Sequence, residues 1–152
     1  MDKLFGIFVS TPISGFSDKS EYYNYRKIVL NLISKLRESY SVCSEVEQVI
    51  GFENYDSPEK SIVEDFESIR NNDVFLLLHP SKMQTSSLIE LGYAIALDKR
   101  IVIVGRKEDL PYLAVGLESF SNKVVIIDMS ISSDEHFNQI CNAIHSLIDC
   151  KV

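Results

Sequence analysis

The sequence has few glycines and prolines, no long apolar run and no excess of positive charge. Six glycines and four prolines in 152 residues do not suit a disordered or fibrous chain. No apolar run reaches the ~20 residues that a membrane helix needs. The net charge of −7 disfavours nucleic acid and membrane surfaces as main partners, because both reward clustered lysine and arginine. We therefore expect a small-molecule or protein partner.

Cysteine is also sparse, with Cys43, Cys141 and Cys150 odd in number and widely spaced. This pattern does not suggest a disulfide framework. The opening MDKLFGIFVS lacks the basic start and long apolar stretch of a signal peptide. A reduced, cytoplasmic protein is predicted. No spacing typical of metal ligands is present, so neither a metal nor another cofactor is expected.

The residues that are present favour one globular domain spanning 1–152, with 45% apolar and 24% charged residues. Short β-branched runs alternate with helical patterns, as in a parallel sheet covered by helices on both faces. This predicts a doubly wound, five-stranded, flavodoxin-like or Rossmann-like α/β fold with strand order 2-1-3-4-5. The predicted strands are Leu4 to Ser10, Tyr40 to Ser44, Asp73 to His79, Arg100 to Val104 and Lys123 to Ile127.

Helical spacing of apolar residues predicts the elements between these strands. The first helix covers KSEYYNYRKIVLNLISKLRES, and the second begins at Ser57, which can cap it while Pro58 fits the first helical position. The second helix is predicted to end near Arg70 and to turn four apolar residues to the core: Ile62, Val63, Phe66 and Ile69. Further helices are predicted over Ser86 to Leu97, Asp109 to Phe120 and Asp134 to Cys150.

In such sheets ligands bind beyond the carboxyl ends of the strands, near the reversal of winding. That crevice would collect the loops that begin at Thr11 and His79. In "STPISGFSD", residues 10–18, Ser14 and Gly15 offer donors for a phosphate at a helix start. An ordinary turn is the alternative. Neither a GxGxxG nor a GxxxxGK[ST] motif is present, so those modes of nucleotide binding are not supported.

Glu90 is the one charged residue between Met83 and Leu97. Its helix is apolar almost all round, which predicts burial on both sides. A buried carboxylate is costly unless it is paired or used, so we expect a site residue. A structural salt bridge to Arg26 or Arg106 is the alternative.

Asp65 lies at the edge of the apolar face of its helix, where a carboxylate can be half-buried. The alternative is a solvated charge on the helix flank. The long acidic connection "EVEQVIGFENYDSPE", residues 45–59, is either a substrate lid or a solvated loop.

The stretch "NNDVFLLLHPSKMQTSSLIELGYAIALDKRIVIV", with "VEDFESIRNND" and "IFVSTPISG", resembles one enzyme family. This family comprises the nucleoside 2-deoxyribosyltransferases and the related deoxynucleoside 5′-monophosphate and cytidylate N-glycosidases. The resemblance implies that Glu90 is the nucleophile or the carboxylate that stabilises the sugar cation, and that Asp65 protonates or orients the departing base. It also implies a nucleoside or nucleotide substrate and a homodimer or larger assembly.

The same resemblance implies substrate contacts from several loops and strands. Ser14, Gly15 and Ser87 would lie near a 5′-phosphate or sugar hydroxyls. The remaining predicted contacts are Phe8, Ser10, Thr11, His79, Gln84 and Ser86. His79 is included because it ends the third strand and could reach the crevice, and a structural role is the alternative. Phe8 departs from the family, which commonly places there a tyrosine that orients the glutamate.

Two alternatives remain at this stage. The first strand "IFVS" and the segment from Gln84 to Leu91 also resemble, more loosely, TIR-like domains that cleave NAD and produce an ADP-ribose-type signal, for instance in antiphage defence. A catalytically silent nucleotide sensor is the other alternative, favoured by Phe8.

Overall fold

The computed structural model describes residues 4–50, 56–132 and 136–150. Its sheet has five parallel strands in the order β2-β1-β3-β4-β5, so the predicted fold class and strand order are confirmed. Each strand lies within the range predicted for it. The strands are β1 Gly6–Ser10, β2 Ser41–Cys43, β3 Val74–Leu78, β4 Arg100–Val104 and β5 Val124–Ile127.

Five α-helices and one 3₁₀ turn lie between the strands in the described ranges, and a sixth helix follows the last strand. Asp18 caps the first helix by accepting from the Glu21 amide, and Ser57 caps the second by accepting from the Lys60 amide, with Pro58 in the first turn. The bounds are α1 Lys19–Leu36, the 3₁₀ turn Glu45–Glu47, α2 Pro58–Asn71, α3 Ser87–Ala96, α4 Tyr112–Val115, α5 Leu117–Phe120 and α6 Phe137–Asp149.

The sheet is buried on both faces, which explains why its strands are continuous apolar runs rather than alternating ones. Helices α1 and α6 cover one face and form a core cluster with the side chains of β1, β3 and β4 that point that way. Helices α2, α3 and α4 cover the other face and form a second core cluster with Phe8, Phe75 and Ile103 of the sheet. Glu90 therefore lies on the α2–α3 side.

Helix α2 departs from the prediction because Ile62 and Val63 do not face the core. They are 46% and 61% exposed, whereas Ile69 is 1% exposed. The helix runs back along the sheet between two parallel strands, so its first half lies beside the carboxyl edge of the sheet. Ile62 lines the mouth of a cavity there instead of packing on a strand.

Helix α3 is buried on one side, and the prediction of burial on both sides was wrong. Leu91 and Ala94 lie in the core, but Ile89 is 62% exposed and Gly92 is exposed. Phe66 of α2 and Tyr93 of α3 stack with ring centroids 3.8 Å apart, which fixes the two helices side by side.

The last third of the chain differs in detail from the prediction. The helix predicted over 109–120 is two short helices, α4 and α5, separated at Gly116. The predicted start of the last helix, at Asp134, lies outside the described residues. Among the helices within residues 4–50, 56–132 and 136–150, none has both the length and the apolar character needed to cross a bilayer.

Candidate active site

A cavity of about 240 Å³ lies at the carboxyl ends of β1, β2 and β3. This is the crevice expected for a doubly wound sheet, since the winding reverses between β1 and β3. Its wall is mainly polar side chains from three loops, from the first half of α2 and from the first turn of α3. The lining residues are Thr11, Ile13, Ser14, Glu45, Asp56, Pro58, Ser61, Asp65, Thr85, Ser86, Ser87 and Glu90.

A second cavity of about 240 Å³ adjoins the first between α2 and α3. The two share a strip of lining residues that includes Asp65 and Glu90. The second is more apolar, since Ile62, Phe66 and Ile89 contribute to it. The two carboxyl groups therefore lie where a polar compartment meets an apolar one, an arrangement suited to a ligand with a polar part and a flat apolar part.

Glu90 is oriented by a hydrogen bond from β1. The Ser10 hydroxyl donates to the Glu90 carboxylate at 2.5 Å, and Ser10 itself is buried. Glu90 lies in the first turn of α3, where the helix dipole favours a negative charge. Burial raises the pKa of Glu90 to about 7, although the Ser10 bond opposes the rise.

Glu90 does not form the alternative salt bridge to Arg26 or Arg106. Arg26 donates to the main-chain carbonyls of Val46 and Glu47, and Arg106 pairs with Glu108. Among the ion pairs of residues 4–50, 56–132 and 136–150, none involves Glu90. Its raised pKa is consistent with a carboxyl group that faces a cavity without a cationic partner.

Asp65 is the second predicted carboxylate, and its residue is only 8% exposed. It faces the cavity from α2. Burial raises its pKa, a hydrogen bond with Glu45 opposes that rise, and the charge of Glu90 adds to it. The structure thus brings together the two acids on which the predicted chemistry depends.

Glu45 completes the group, and the sequence reasoning did not identify it. One carboxylate oxygen from each of Glu45, Asp65 and Glu90 lies within 4.8 Å of the other two. Burial raises the pKa of Glu45 to about 8, with further contributions from the hydrogen bond and charge of Asp65. The available signal was its position directly after β2, the strand next to β1 in the sheet.

Three carboxyl groups this close are also oxygen donors of the kind that divalent cations use. Metal binding requires ionised carboxylates, so a cation would compete with protons for Glu45 and Glu90 and would bind more weakly as the pH falls.

Hydroxyl groups form the other side of the cavity. Ser14, Thr85, Ser86 and Ser87 line it near the start of α3, and no lysine or arginine is among the described lining residues. The Thr85 hydroxyl accepts from the Ser87 amide at 3.4 Å. A ligand would meet hydroxyls and the N-terminal amides of a helix there, as in many anion sites.

The remaining predicted contacts lie around the cavity, and their binding roles stay predictions. Thr11 lines it and bonds to the Tyr25 hydroxyl at 2.6 Å. Gly15 has a φ of 98° and lies where an added Cβ would be 3.1 Å from the Gln84 carbonyl, so it packs the first loop against the third. Gln84 itself is exposed and outside the lining.

Phe8 and His79 lie beneath the site rather than in it. Phe8 is 2% exposed, stacks on Phe75 at 5.9 Å, and borders a small void together with Ser10 and Glu90. His79 is 1% exposed, neither ring nitrogen has a hydrogen-bond partner within the described residues, and burial lowers its pKa.

Comparison with known proteins gives no match to a family model or to a curated protein. Several solved structures share the fold, including BcmB and BlsM. The CMP N-glycosidase BcmB of Clostridium botulinum has a TM-score of 0.63 and 19% identity, over 90% of this chain and 98% of BcmB. BlsM has a TM-score of 0.74 and 22% identity, over 98% of this chain and 94% of BlsM. The suspected resemblance to nucleotide N-glycosidases is thus confirmed at the level of the fold.

Proposed function

We propose that this protein cleaves the N-glycosidic bond of a nucleoside or a nucleoside 5′-monophosphate. The observation that carries the proposal is Glu90, a partly buried carboxyl group that faces a cavity beside two further acids and has no cationic partner in the described structure. The fold shared with a CMP N-glycosidase supports the same reaction class.

The chemistry requires a carboxylate on the face of the sugar opposite the base. Breaking the bond between C1′ and the base makes C1′ oxocarbenium-like, and in this proposal Glu90 traps or stabilises that charge. In glycosidases whose two carboxyl groups are about 5 Å apart, one carboxylate attacks the sugar and forms a covalent intermediate. A wider separation leaves room for a water molecule that attacks the sugar directly. The separation of at most 4.8 Å supports Glu90 as the nucleophile.

The ligand is proposed to lie across both compartments of the site. The sugar and any 5′-phosphate would contact Ser14, Ser86 and Ser87 at the start of α3, and the base would lie between α2 and α3 near Ile62 and Phe66. Without a cation in the described lining, phosphate binding would depend on hydroxyls and helix amides.

The test is a substrate panel. The protein is incubated with ribo- and deoxyribonucleosides, their 5′-monophosphates and NAD, and free base is followed by chromatography with and without an acceptor base. We expect nucleobase release from a nucleoside or monophosphate. Nicotinamide release would instead favour the NAD-cleaving alternative, and tight binding without turnover would favour a sensor.

Ser10→Ala is expected to lower the rate of base release by about tenfold or more, because it removes a hydrogen bond to a charged group, worth about 1.5–3 kcal/mol. The acidic limb of the pH profile is expected to move to higher pH, since the Ser10 bond lowers the pKa of Glu90. Ser10→Thr keeps the hydroxyl and is the matched control. Equal pH profiles for the alanine and wild-type proteins would contradict this assignment.

A homodimer in the cytoplasm, with one domain in each chain, remains part of the proposal. Exposed apolar side chains near the apolar compartment support an interface on the α2–α3 face. They are Ile62, Val63 and Ile89.

A further inference from the structure

Glu45 lies on a turn that is held firmly in place. The turn begins directly after β2, and the buried Ser44 hydroxyl donates to a main-chain carbonyl of β1 at 2.9 Å. Arg26 of α1 donates to two main-chain carbonyls of the turn, at 3.0 and 3.1 Å. Arg37 forms two short hydrogen bonds with the Glu47 carboxylate at the end of the turn. Glu45 is therefore presented to the cavity by a rigid support.

The carboxyl groups of Glu45 and Asp65 lie close together, with one oxygen of each within 4.8 Å of the other. Burial raises the pKa of both groups, and the interaction between them raises the pKa of Glu45 further but opposes the rise at Asp65, which makes Glu45 the better proton donor of the two. The charged groups that act on Glu45 are all acidic: Asp56 before α2, Glu64 and Asp65 on α2, and Glu90 on α3 across the cluster. They favour retention of its proton.

We propose that Glu45, rather than Asp65, is the general acid that gives its proton to the departing base, and that Asp65 is the acceptor that positions this proton. The inference rests on the proposed function and deepens it. It requires Glu45 to line the same cavity as Glu90, and both residues do so, with one carboxylate oxygen of each within 4.8 Å of the other.

The atoms and charges balance over two steps. In the first, the C1′–N bond breaks, its electron pair goes to the base, the base takes the Glu45 proton, and a Glu90 oxygen bonds to C1′. In the second, water attacks C1′, gives a proton to the Glu45 carboxylate, and displaces Glu90 as a carboxylate. The net reaction adds water across the C1′–N bond and restores both acids.

The test exploits the dependence of acid catalysis on the leaving group. Glu45→Gln keeps the size of the side chain and a donor for Asp65 but has no transferable proton. With the substrate found in the panel, kcat is expected to fall by about 100- to 1000-fold with little change in KM, and the alkaline limb of the pH profile is lost. With a 4-nitrophenyl glycoside of the same sugar, whose leaving group departs without protonation, the decrease is expected to stay below about tenfold.

Glu67→Gln is the matched control, because it removes one acidic charge from an exposed position of α2 that neither lines the cavity nor acts on Glu45. It should keep kcat within about twofold and retain the alkaline limb. Circular dichroism of each variant verifies folding. If Glu45→Gln cleaves the natural substrate at the wild-type rate, or loses equally on both substrates, Glu45 is not the acid. If the wild-type protein releases no base from any substrate, the proposed function itself fails.

Discussion

Glu90→Gln is expected to lower the rate of base release by more than about 1000-fold while leaving the fold intact. The amide keeps the shape of the carboxyl group and can still accept from Ser10, but it cannot form a bond to C1′ or balance its positive charge. Steady-state kinetics by base release give the ratio. Glu67→Gln, a change of the same chemistry at an exposed position of α2, is the control and should react at the wild-type rate.

A second variant separates a nucleophile from a purely electrostatic role. Glu90→Ala opens space at C1′, so added azide should restore turnover and yield a glycosyl azide if Glu90 is the nucleophile. Glu90→Gln with normal activity would contradict any role for this residue in catalysis. Recovery of activity without azide incorporation would leave Glu90 as a stabiliser of the cation.

The fold could be predicted because its signals are local and agree with each other. Apolar β-branched runs buried on both faces identify parallel strands, and the cap at Ser57 with Pro58 identifies the start of α2. The strand order was predicted from the order that is common among doubly wound sheets and not from any particular residue. Glu90 was identifiable because a single charge in an apolar helix is unusual, a signal that needs no tertiary contact.

Glu45 could not be predicted in the same way because its environment is created by the fold. In sequence it belongs to an acidic connection, and nothing local separates it from Glu47, which pairs with Arg37 at the surface. Its burial comes from β1, α2 and α3, which are distant in the chain. Ile62 was mispredicted for the corresponding reason, since helical spacing locates an apolar face but not where the sheet beneath it ends.

The support of Glu90 by Ser10 also depended on pairing between distant elements. Phe8 lacks the hydroxyl with which the family's tyrosine commonly orients the glutamate, and this absence favoured a silent sensor. In the structure Ser10 lies two residues further along β1, on the same face of the strand, and supplies a hydroxyl at 2.5 Å. Glu90 is therefore oriented even though Phe8 lacks a hydroxyl, which weakens the case for an inactive sensor.

The acid cluster should make the protein less stable as the pH rises. Unfolded glutamate ionises near 4.5, whereas burial raises the pKa of folded Glu90 to about 7 and that of Glu45 to about 8. The folded state therefore binds more protons than the unfolded state across this window, and by linkage its stability falls as pH increases through it. The penalty is absent below about pH 4.5 and complete above about pH 8.

Glu90→Gln should remove its share of that penalty, because the amide does not ionise. We expect the variant to exceed the wild-type protein in free energy of unfolding by about 1–3 kcal/mol at pH 8, and the difference to vanish near pH 4.5. Urea titrations at a series of pH values measure it, with Glu67→Gln expected to show no pH-dependent difference. A variant no more stable than wild type at pH 8 would mean that Glu90 ionises in the folded protein as easily as in water. The pKa of Glu90 would then not be raised by the fold, contrary to the site described above.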